Sequence, residues 1–379
     1  MAGPLEGLRV LEFAGIGPAP FAAMVLADMG AIVTRIDRRH GRPRAASGNA
    51  DVLQRGRRSL AMDLKHPDAP SVVMSLVRRS DVLIEGFRPG VLERLGLGPD
   101  ECLQARPALV YARMSGWGQS GPLAHQAGHD LNFLALSGAL HAMGDPGHPP
   151  PPPLNLVADF GGGGMMLAFG IMAALWESRR SGQGQVVDAA MSDGAALLMS
   201  MLYGYAAMER WHPGRRGGNF LDGSAPFYAA YACQGGGFVA VAAIEAPFYQ
   251  ALVEGCGFAD DEDFRHQWDE ERWPRLKRKL TAAFLCKTRD QWLAAFAGAD
   301  ACVTPVLDMR EAPGHPHHLA RQAFVEVEGV VQPAPAPRFL RTPGQAGTIP
   351  SPGEHADLIL REHGYSGDAI ARMRERGVV

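Results

Sequence analysis

The sequence predicts an α/β protein with a mostly parallel sheet and a second, smaller domain. The first observation is that short apolar runs of strand type alternate with apolar-periodic helices, which is typical of a parallel sheet buried on both faces. The second is a change of character at a Gly- and Arg-rich loop over residues 211–223, after which strand patterns follow closely. A chain of 379 residues is long enough for two domains.

The elements of the first domain follow one another in the order that a parallel sheet requires. Ligands of such sheets bind outside the carboxyl ends of the strands. This rule directs attention to Asp37-Arg38, to Phe87-Arg88 and to residues 115–119. We predict strands over residues 8–13, 31–36, 59–64, 81–85, 109–114 and 185–190, and helices over 21–29, 69–78 and 193–208, with a long buried helix after residue 160.

The first strand, helix and strand resemble a dinucleotide-binding fingerprint. Gly15 and Gly17 follow the strand, and an acid, Asp37, comes about 20 residues later. However, Pro20 stands where the third glycine is required. Pro18 and Pro20 also remove backbone N–H donors from the turn that would hold a pyrophosphate. NAD binding is therefore disfavoured.

Two linker-like segments set the predicted domain boundaries. The first is the loop over 211–223, and the second is a proline-rich segment over 333–337. An amphipathic pattern over 356–376 predicts a helix that returns to the first domain. We therefore assign residues 1–210 and 330–379 to a large domain and residues 211–329 to a linker and a small domain. The small domain has predicted strands over 226–233, 237–243 and 302–307 and helices over 247–256, 273–284 and 289–296.

Bulk properties narrow the functional classes. A net charge of −3 gives no reason to expect a nucleic-acid or anionic-membrane partner. The five cysteines are scattered without a C-x-x-C pair, which favours a reducing compartment over a disulfide framework. The N-terminus has no signal-peptide pattern, and no uninterrupted apolar run reaches about 18 residues. We expect a cytoplasmic protein without a membrane span.

His129 and Asp159 are the candidate acid/base residues. Each stands beside a predicted helix start, where a capping role is the simpler interpretation. The positive end of a helix dipole disfavours a protonated imidazole, so we expect His129 to act as a neutral base near pH 7. Glycines 161 to 164 follow Asp159, at a cost of about 0.5–1 kcal/mol each relative to alanine. We expect them to let a ligand approach the backbone, and their amides to stabilise an oxyanion.

Three further groups of residues are candidates for parts of a site. Glu245 ends an apolar strand, and a second carboxylate beside it would let one of the two stay protonated. A helix cap is the simpler interpretation of Glu245. A basic set is a candidate for neutralising a phosphorylated ligand, and its members are Arg55, Arg57, Arg58, Lys65 and Arg88. We predict no metal site, because prolines 313 and 316 break any helix that would gather His315, His317, His318, Asp308 and Glu311.

Several long sequence blocks follow one another along essentially the whole chain. They are GLRVLEFAGIGPAPFAAMVLADMGA, VTRIDR, DVLIEGFRPGVLERLGLGP, YARMSGWGQSGP, AGHDLNF, PLNLVADFGGGG, GQGQVVDAAM and AVAAIEAPFY. In this order they resemble the class III CoA-transferase (CaiB/BaiF) family, and within it the α-methylacyl-CoA racemases.

The resemblance implies a Rossmann-like large domain, a smaller α+β domain and an interlocked homodimer. It implies racemisation of 2-methylacyl-CoA thioesters, with CoA as part of the substrate and no separate cofactor. His129 and Asp159 would be the acid/base pair, with Glu245 of the other subunit beside Asp159. The implied CoA contacts are Arg38, Ala61, Asp63, Lys65, Arg88, Gly128, Asp130, Asn132 and Phe133.

The same resemblance leaves an alternative open. In the wider family, the aspartate that matches Asp159 attacks a thioester and forms a mixed anhydride, as a CoA-transferase requires. His129 favours the racemase, because a transferase needs no second proton donor across the α-carbon. A non-catalytic acyl-CoA- or NAD-binding module is a more distant alternative. Two positions depart from the family pattern: Phe133 replaces a frequent Tyr, and Pro247 does not directly follow Glu245.

Overall fold

A computed structural model of the chain describes residues 3–39 and 51–379. The chain divides into two compact units. The large unit contains Met1–Ser137, Pro153–Leu198 and Pro316–Val379, and the small unit contains Gly138–Pro152 and Met199–His315. The predicted boundaries are therefore displaced at both ends of the small domain. Residues 138–152 and 199–210 belong to the small unit, and residues 316–329 belong to the large one.

A six-stranded parallel sheet forms the centre of the large unit. Its order is β3-β2-β1-β4-β5-β6. This is the strand order of the Rossmann fold, and the reversal between β1 and β4 is the point at which such sheets bind ligands. The predicted α/β class is confirmed. The strands are β1 (Arg9–Phe13), β2 (Ile32–Arg38), β3 (Arg57–Met62), β4 (Val82–Glu85), β5 (Val110–Ser115) and β6 (Gln185–Ala190).

Helices cover both faces of this sheet. One face packs mainly against α1 and α6, through side chains such as Leu26, Leu167 and Ile171. The other packs against α2 and α4, through Val73 and Leu76. The helices are α1 (Pro18–Asp28), α2 (Ala69–Val77), α3 (Val91–Arg94), α4 (Pro99–Ala105), α5 (Asp130–Ser137), a π-helix (Leu156–Met165), α6 (Met166–Ser181) and α7 (Met191–Leu198).

The small unit has its own sheet and its own core. The helix predicted over 193–208 is in fact two helices, α7 and α8, which are separated at Met199. An aromatic core surrounds Phe227, Trp273 and Phe284. The elements are α8 (Ser200–Ala207), the antiparallel strands β7 (Tyr228–Ala232), β8 (Phe238–Ala242) and β9 (Val303–Pro305), and the helices α9 (Ala246–Gly255), α10 (Trp273–Phe284) and α11 (Arg289–Ala295).

The C-terminal segment returns to the large unit, as the amphipathic pattern predicts. It contains α12 (Pro316–Ala320), an antiparallel pair β10 (Phe324–Val327) and β11 (Val330–Pro333), α13 (Ala356–Glu362) and α14 (Gly367–Glu375). The single helix predicted over 356–376 is broken, because Gly364 adopts a φ of 89° between the two helices. Ile359 and Leu360 complete the core on the α2 face of the sheet.

The π-helix and α6 together form one helical stretch, Leu156–Ser181. By length and composition alone this stretch is apolar enough to cross a membrane. Its residues Leu167, Ile171 and Leu175 lie in the core against the parallel sheet, and a core helix passes the same test. The absence of a membrane span stays a prediction.

Candidate active site

Two cavities lie along the carboxyl edge of the parallel sheet. The first, the His129 cavity, has a volume of about 500 Å³ and is lined by the segments after β1, β4, β5 and β6 and by His129, Asn155 and Asp159. The second, the Arg38 cavity, has a volume of about 520 Å³ and lies at the ends of β2 and β3. Phe87 lines both cavities. They therefore adjoin at the segment that follows β4, next to the reversal of strand order.

His129 occupies the N-cap position of α5. Its carbonyl oxygen accepts from the backbone N–H of Asn132 at 2.8 Å and of Phe133 at 3.3 Å. In return, the Asn132 side chain accepts from the backbone N–H of His129 at 3.1 Å. This is one half of a capping box, and it fixes the backbone of His129 while the imidazole stays exposed. Asn132, an expected CoA contact, thus bonds to His129.

Asp159 lies in the first turn of the π-helix and is half-buried. Burial raises the pKa of its carboxyl group above the usual range, and the nearby Asp130 charge adds to this. A hydrogen bond from the Asn155 side chain, at 3.3 Å, and the charge of His129 lower the pKa. A raised carboxyl pKa suits a group that both takes and returns a proton near neutral pH.

The π-helix is itself unusual. π-Helices are mostly single turns, and they are found often at functional sites, whereas this one has ten residues. Asp130 begins α5, but its carboxylate caps the π-helix. Asp130 Oδ1 accepts from the backbone N–H of Ala158 at 2.8 Å and of Asp159 at 2.7 Å.

The expected role of the glycine amides is wrong. In a π-helix each N–H bonds to the carbonyl five residues earlier, so the amides of residues 161–164 are used within the helix. The glycines instead allow close packing. A Cβ on Gly162 would lie 2.6 Å from the backbone nitrogen of Ala195, and one on Gly164 would lie 2.6 Å from the Phe21 ring. The π-helix can therefore pack directly against α1 and α7.

The Arg38 cavity contains several of the expected CoA contacts. Arg38, Asp63 and Lys65 line it, together with Arg39 and Arg94. Sequence reasoning missed the last two residues, although Arg39 directly follows Arg38. Positive charge exceeds negative charge around this cavity, which suits the phosphates of a nucleotide.

Not all of the expected CoA contacts line a cavity. Arg88, Gly128 and Phe133 line the His129 cavity. Ala61 lies in β3 and packs closely against Gly353: a Cβ added to Gly353 would lie 3.1 Å from the Cβ of Ala61. Asp130 and Asn132 are used in the hydrogen bonds described above.

Three arginines of the predicted basic set form ion pairs within the fold. Arg55 pairs with Asp28 at 2.5 Å, and Arg57 pairs with Glu12 at 3.0 Å, both fully desolvated. Arg58 pairs with Glu362 at 2.5 Å. Arg55 and Arg57 neutralise buried carboxylates, so the hypothesis that the basic set holds a phosphorylated ligand is wrong for these two residues, whereas the partner of Arg58 is an exposed carboxylate. The sequence shows a cluster of charges, but it does not show that the partner acids come from α1, β1 and α13.

Phe133 is fully buried beside the His129 cavity. A Cβ on Gly116 would lie 2.4 Å from its ring, and one on Gly128 would lie 2.7 Å from it. Trp117 packs edge-on against the same ring, with the centroids 4.7 Å apart. The phenyl ring of Phe133 therefore packs directly against the two segments that contain Gly116 and Gly128.

Sequence reasoning missed Asn155, whose side chain donates to Asp159. Its i, i+4 spacing from Asp159 in the PLNLVAD block was a usable signal.

Glu245 lies in the small unit, at the N-cap of α9, and it is exposed. The buried Gln267 side chain donates to the backbone carbonyls of Ala243 at 3.2 Å and Ile244 at 2.7 Å, which fixes the turn before it. Pro247 falls in the first helical turn, where its missing N–H has no cost. The contact of Glu245 with Asp159 of another subunit stays a prediction.

Residues that a metal ion or a dinucleotide would need are placed as follows in the part of the chain that the structure describes. Within residues 3–39 and 51–379, no group of three or more His, Cys, Asp or Glu side chains is placed to hold a metal ion. Helix α1 begins with Pro18, and Pro20 also lies in its first turn. Asp37, the acid of the dinucleotide-type fingerprint, accepts from Ser59 Oγ at 2.6 Å and pairs with Arg35 at 3.1 Å.

The strand order and the two adjoining cavities define an α/β protein with a Rossmann-type sheet and open space at its switch point. The profile of CoA-transferase family III matches residues 5–356, and the chain belongs to this family. The resemblance seen in the sequence blocks is therefore confirmed.

Relatives with two kinds of named activity match this chain. Alpha-methylacyl-CoA racemases of Mus musculus and Homo sapiens are 47% and 45% identical over 378 residues, which cover 99% of this chain and 97% of each relative. An acetyl-CoA:oxalate CoA-transferase of Acetobacter aceti is 32% identical over 87% of this chain and 88% of that protein. A solved structure of a CAIB/BAIF family protein from Brucella suis has a TM-score of 0.82 at 25% identity, covering 96% of this chain and all of that one.

Proposed function

We propose that this protein is an enzyme that racemises 2-methylacyl-CoA thioesters by 1,1-proton transfer. One observation carries the proposal: His129 and Asp159 line the same cavity, at the carboxyl end of the sheet. A racemase needs a proton carrier on each face of one carbon atom. The identity of 45–47% to alpha-methylacyl-CoA racemases over nearly the whole chain supports the same activity.

The chemistry needs an acid and a base, and both are present. One group removes the α-proton of the thioester, and the electron pair forms an enolate. The other group then donates a proton to the opposite face of the same carbon. General acid–base catalysis contributes about 10²–10⁴-fold, so positioning and enolate stabilisation must supply the rest.

The first amides of α5 are our candidates for stabilising the enolate oxygen. Asn132 and Phe133 donate to the carbonyl of His129, so the helix bonds begin there. The N–H groups of Asp130 and Leu131 precede them and have no backbone acceptor within residues 3–39 and 51–379. They follow His129 directly, and they lie at the positive end of the helix dipole.

The Arg38 cavity is our candidate for the nucleotide end of CoA. Its cationic side chains suit phosphates, and Phe87 connects it to the His129 cavity. An extended CoA thioester can then place its nucleotide over β2 and β3 and its acyl group beside His129 and Asp159. Since the thioester itself acidifies the α-proton, we propose that no separate cofactor takes part.

We also propose that the active protein is a homodimer. Side chains on α6 and α7 leave a large apolar surface exposed, including Phe169 at 70%, Trp176 at 69% and Leu197 at 59%. Surfaces of this kind mark protein–protein contacts. In such a dimer, Glu245 of one subunit would stand beside Asp159 of the other.

Exchange of the α-proton with solvent tests the proposed function. A single enantiomer of a 2-methylacyl-CoA is incubated with the protein in D₂O, without an acceptor acid. We expect racemisation with incorporation of one deuterium at the α-carbon. CoA exchange that requires a free acid, together with a hydroxylamine-sensitive adduct at Asp159, would instead show a CoA-transferase and refute the racemase.

A further inference from the structure

One buried carboxylate links the segments that carry the two proposed acid/base residues, His129 and Asp159. Asp130 follows His129 in the chain, begins α5 and is only 4% exposed. Its Oδ1 accepts from the backbone N–H of Ala158 at 2.8 Å and of Asp159 at 2.7 Å. Two amides at the start of the π-helix are thus held by a side chain from a different helix. The backbone positions of His129 and Asp159 are therefore coupled through a single residue.

The second oxygen of this carboxylate makes the arrangement costly. Asp130 Oδ2 is buried and has no hydrogen-bond partner within the part of the chain that the structure describes. Burial of a polar group without a partner costs free energy, and a buried charge costs more. A neutral Asn would cap the same two amides with one oxygen. Capping therefore explains the position of Asp130 but not its charge.

The charge acts on Asp159. Burial and the Asp130 charge raise the pKa of the Asp159 carboxyl group, while Asn155 and His129 lower it. In the proposed dimer, Glu245 of the partner subunit also faces this group. The other ionisable side chains on elements that pack against the π-helix are Asp28, Glu177, Arg179, Arg180, Asp188 and Asp193.

We propose that Asp130 is a positioning residue for the acid/base pair: it fixes the backbone of Asp159 relative to His129 and keeps a negative charge beside the Asp159 carboxyl group. The proposal rests on the proposed function, because it assigns Asp130 a task in α-proton transfer. Asp130 does not touch the reacting carbon in this role. Its charge makes Asp159 hold a proton at higher pH, closer to the pH at which the proton must be exchanged.

Two substitutions separate the geometric task from the electrostatic one. Asp130→Asn keeps an oxygen that can accept from the two amides, but it removes the charge. For the enantiomer whose α-proton Asp159 removes, we expect the acid limb of kcat/KM to move to lower pH, with KM changed less than about twofold. Asp130→Ala removes both the acceptor and the charge, and we expect kcat to fall by at least about 10-fold, the loss associated with misplaced catalytic groups.

The control is Asp193→Asn, which removes an exposed charge from α7, a helix that packs against the same π-helix. We expect its acid limb to coincide with that of the wild type. A purely structural role for Asp130 would lower stability without moving the acid limb in Asp130→Asn, and that result overturns the proposal. If Asp130→Ala does not fold, Asp130→Asn alone decides.

A second measurement does not depend on turnover. The protein is labelled with ¹³C at the aspartate carboxyl groups, and the Asp159 signal is assigned by its loss in Asp159→Asn. We expect the titration of Asp159 to move to lower pH in Asp130→Asn. An unmoved titration overturns this proposal even if the wild type racemises its substrate. A moved titration in a protein that exchanges no α-proton refutes the proposed function and leaves the coupling intact.

Discussion

The two cavities along the carboxyl edge differ in how they arrange charge. The Arg38 cavity is lined by several cations, namely Arg38, Arg39, Lys65 and Arg94, and by the acids Asp37 and Asp63. Among the described residues, the lining of the His129 cavity includes the acid Asp159, whose pKa is raised, together with His129 and Arg88. The first cavity is suited to holding a highly charged group, and the second to moving a proton.

This difference indicates that one cavity binds the substrate and the other carries out the reaction. Contacts to a remote nucleotide supply binding energy, and that energy positions the thioester at the reacting end. The reacting end can then keep its ionisable groups free of strong ion pairs, which would fix their charge. The comparison predicts that substitutions in the Arg38 cavity change KM, whereas substitutions in the His129 cavity change kcat.

The largest effect is expected from the acid/base pair. His129→Ala and Asp159→Ala should each lower kcat for racemisation by at least about 10²-fold, because each removes one of two proton carriers. KM should change little. His125→Ala is the matched control, since His125 is exposed on the same segment. Unchanged turnover in either variant would remove that residue from the mechanism and end the contrast between the cavities.

The next effect concerns the support of the reacting end. Gly162→Ala would place a Cβ 2.6 Å from the backbone nitrogen of Ala195, and backbone cannot move aside easily. We expect a loss of about 1–3 kcal/mol in the free energy of unfolding, together with a lower kcat. In Gly161→Ala, the nearest atom would be 3.3 Å away, so this variant is the control. Equal denaturation midpoints for the two variants would contradict the packing role of the glycines.

A smaller effect is expected at the other cavity. Arg38→Met should raise KM for the CoA thioester about 10-fold, since a charge-assisted hydrogen bond contributes about 1.5–3 kcal/mol. The corresponding pantetheine thioester has no nucleotide, so the substitution should not affect its KM. Arg78→Met, a change at an exposed residue after α2, serves as the control. An equal effect on both substrates would place the nucleotide elsewhere.

The sequence predicts the sheet well because each strand has a local signal. The strand over 185–190 is placed at its observed residues, and the helix over 273–284 likewise. Breaks within helices are harder to predict, because Met199 carries no breaking signal and the tertiary structure decides. The small unit also takes residues 138–152, which no local pattern assigns to it.

The sequence predicts which chemical groups form the site, but it does not predict their hydrogen-bond and packing partners. His129, Asp159, Arg38 and Lys65 line cavities, and the first three of them lie in the sequence blocks that carry the resemblance. The partners of charged groups depend on distant elements. Asp130, for example, caps a helix that begins 26 residues later. The sequence shows that the glycines after Asp159 destabilise a helix, and this cost suggests a ligand. It does not show that α1 and α7 pack against them, which is the reason the structure gives.

The smallest effect is a pH-dependent change of stability. The pKa of Asp159 is raised in the folded protein, mainly by burial. The folded state therefore holds this proton more tightly than the unfolded state, and stability is lost as the pH rises from about 4, the ordinary carboxyl value, through the folded pKa. Asp159→Asn has no proton to lose.

We therefore expect the Tm of Asp159→Asn to exceed that of the wild type at pH 7, and the difference to shrink as the pH falls to about 4. Because Asp159 is only half-buried, the gain should be at most about 2 °C. Thermal unfolding at several pH values measures it, with Asp193→Asn as the control. A difference in Tm that is the same at every pH would mean that burial does not destabilise the Asp159 carboxylate. The contrast between the two cavities would then depend on their lining residues alone.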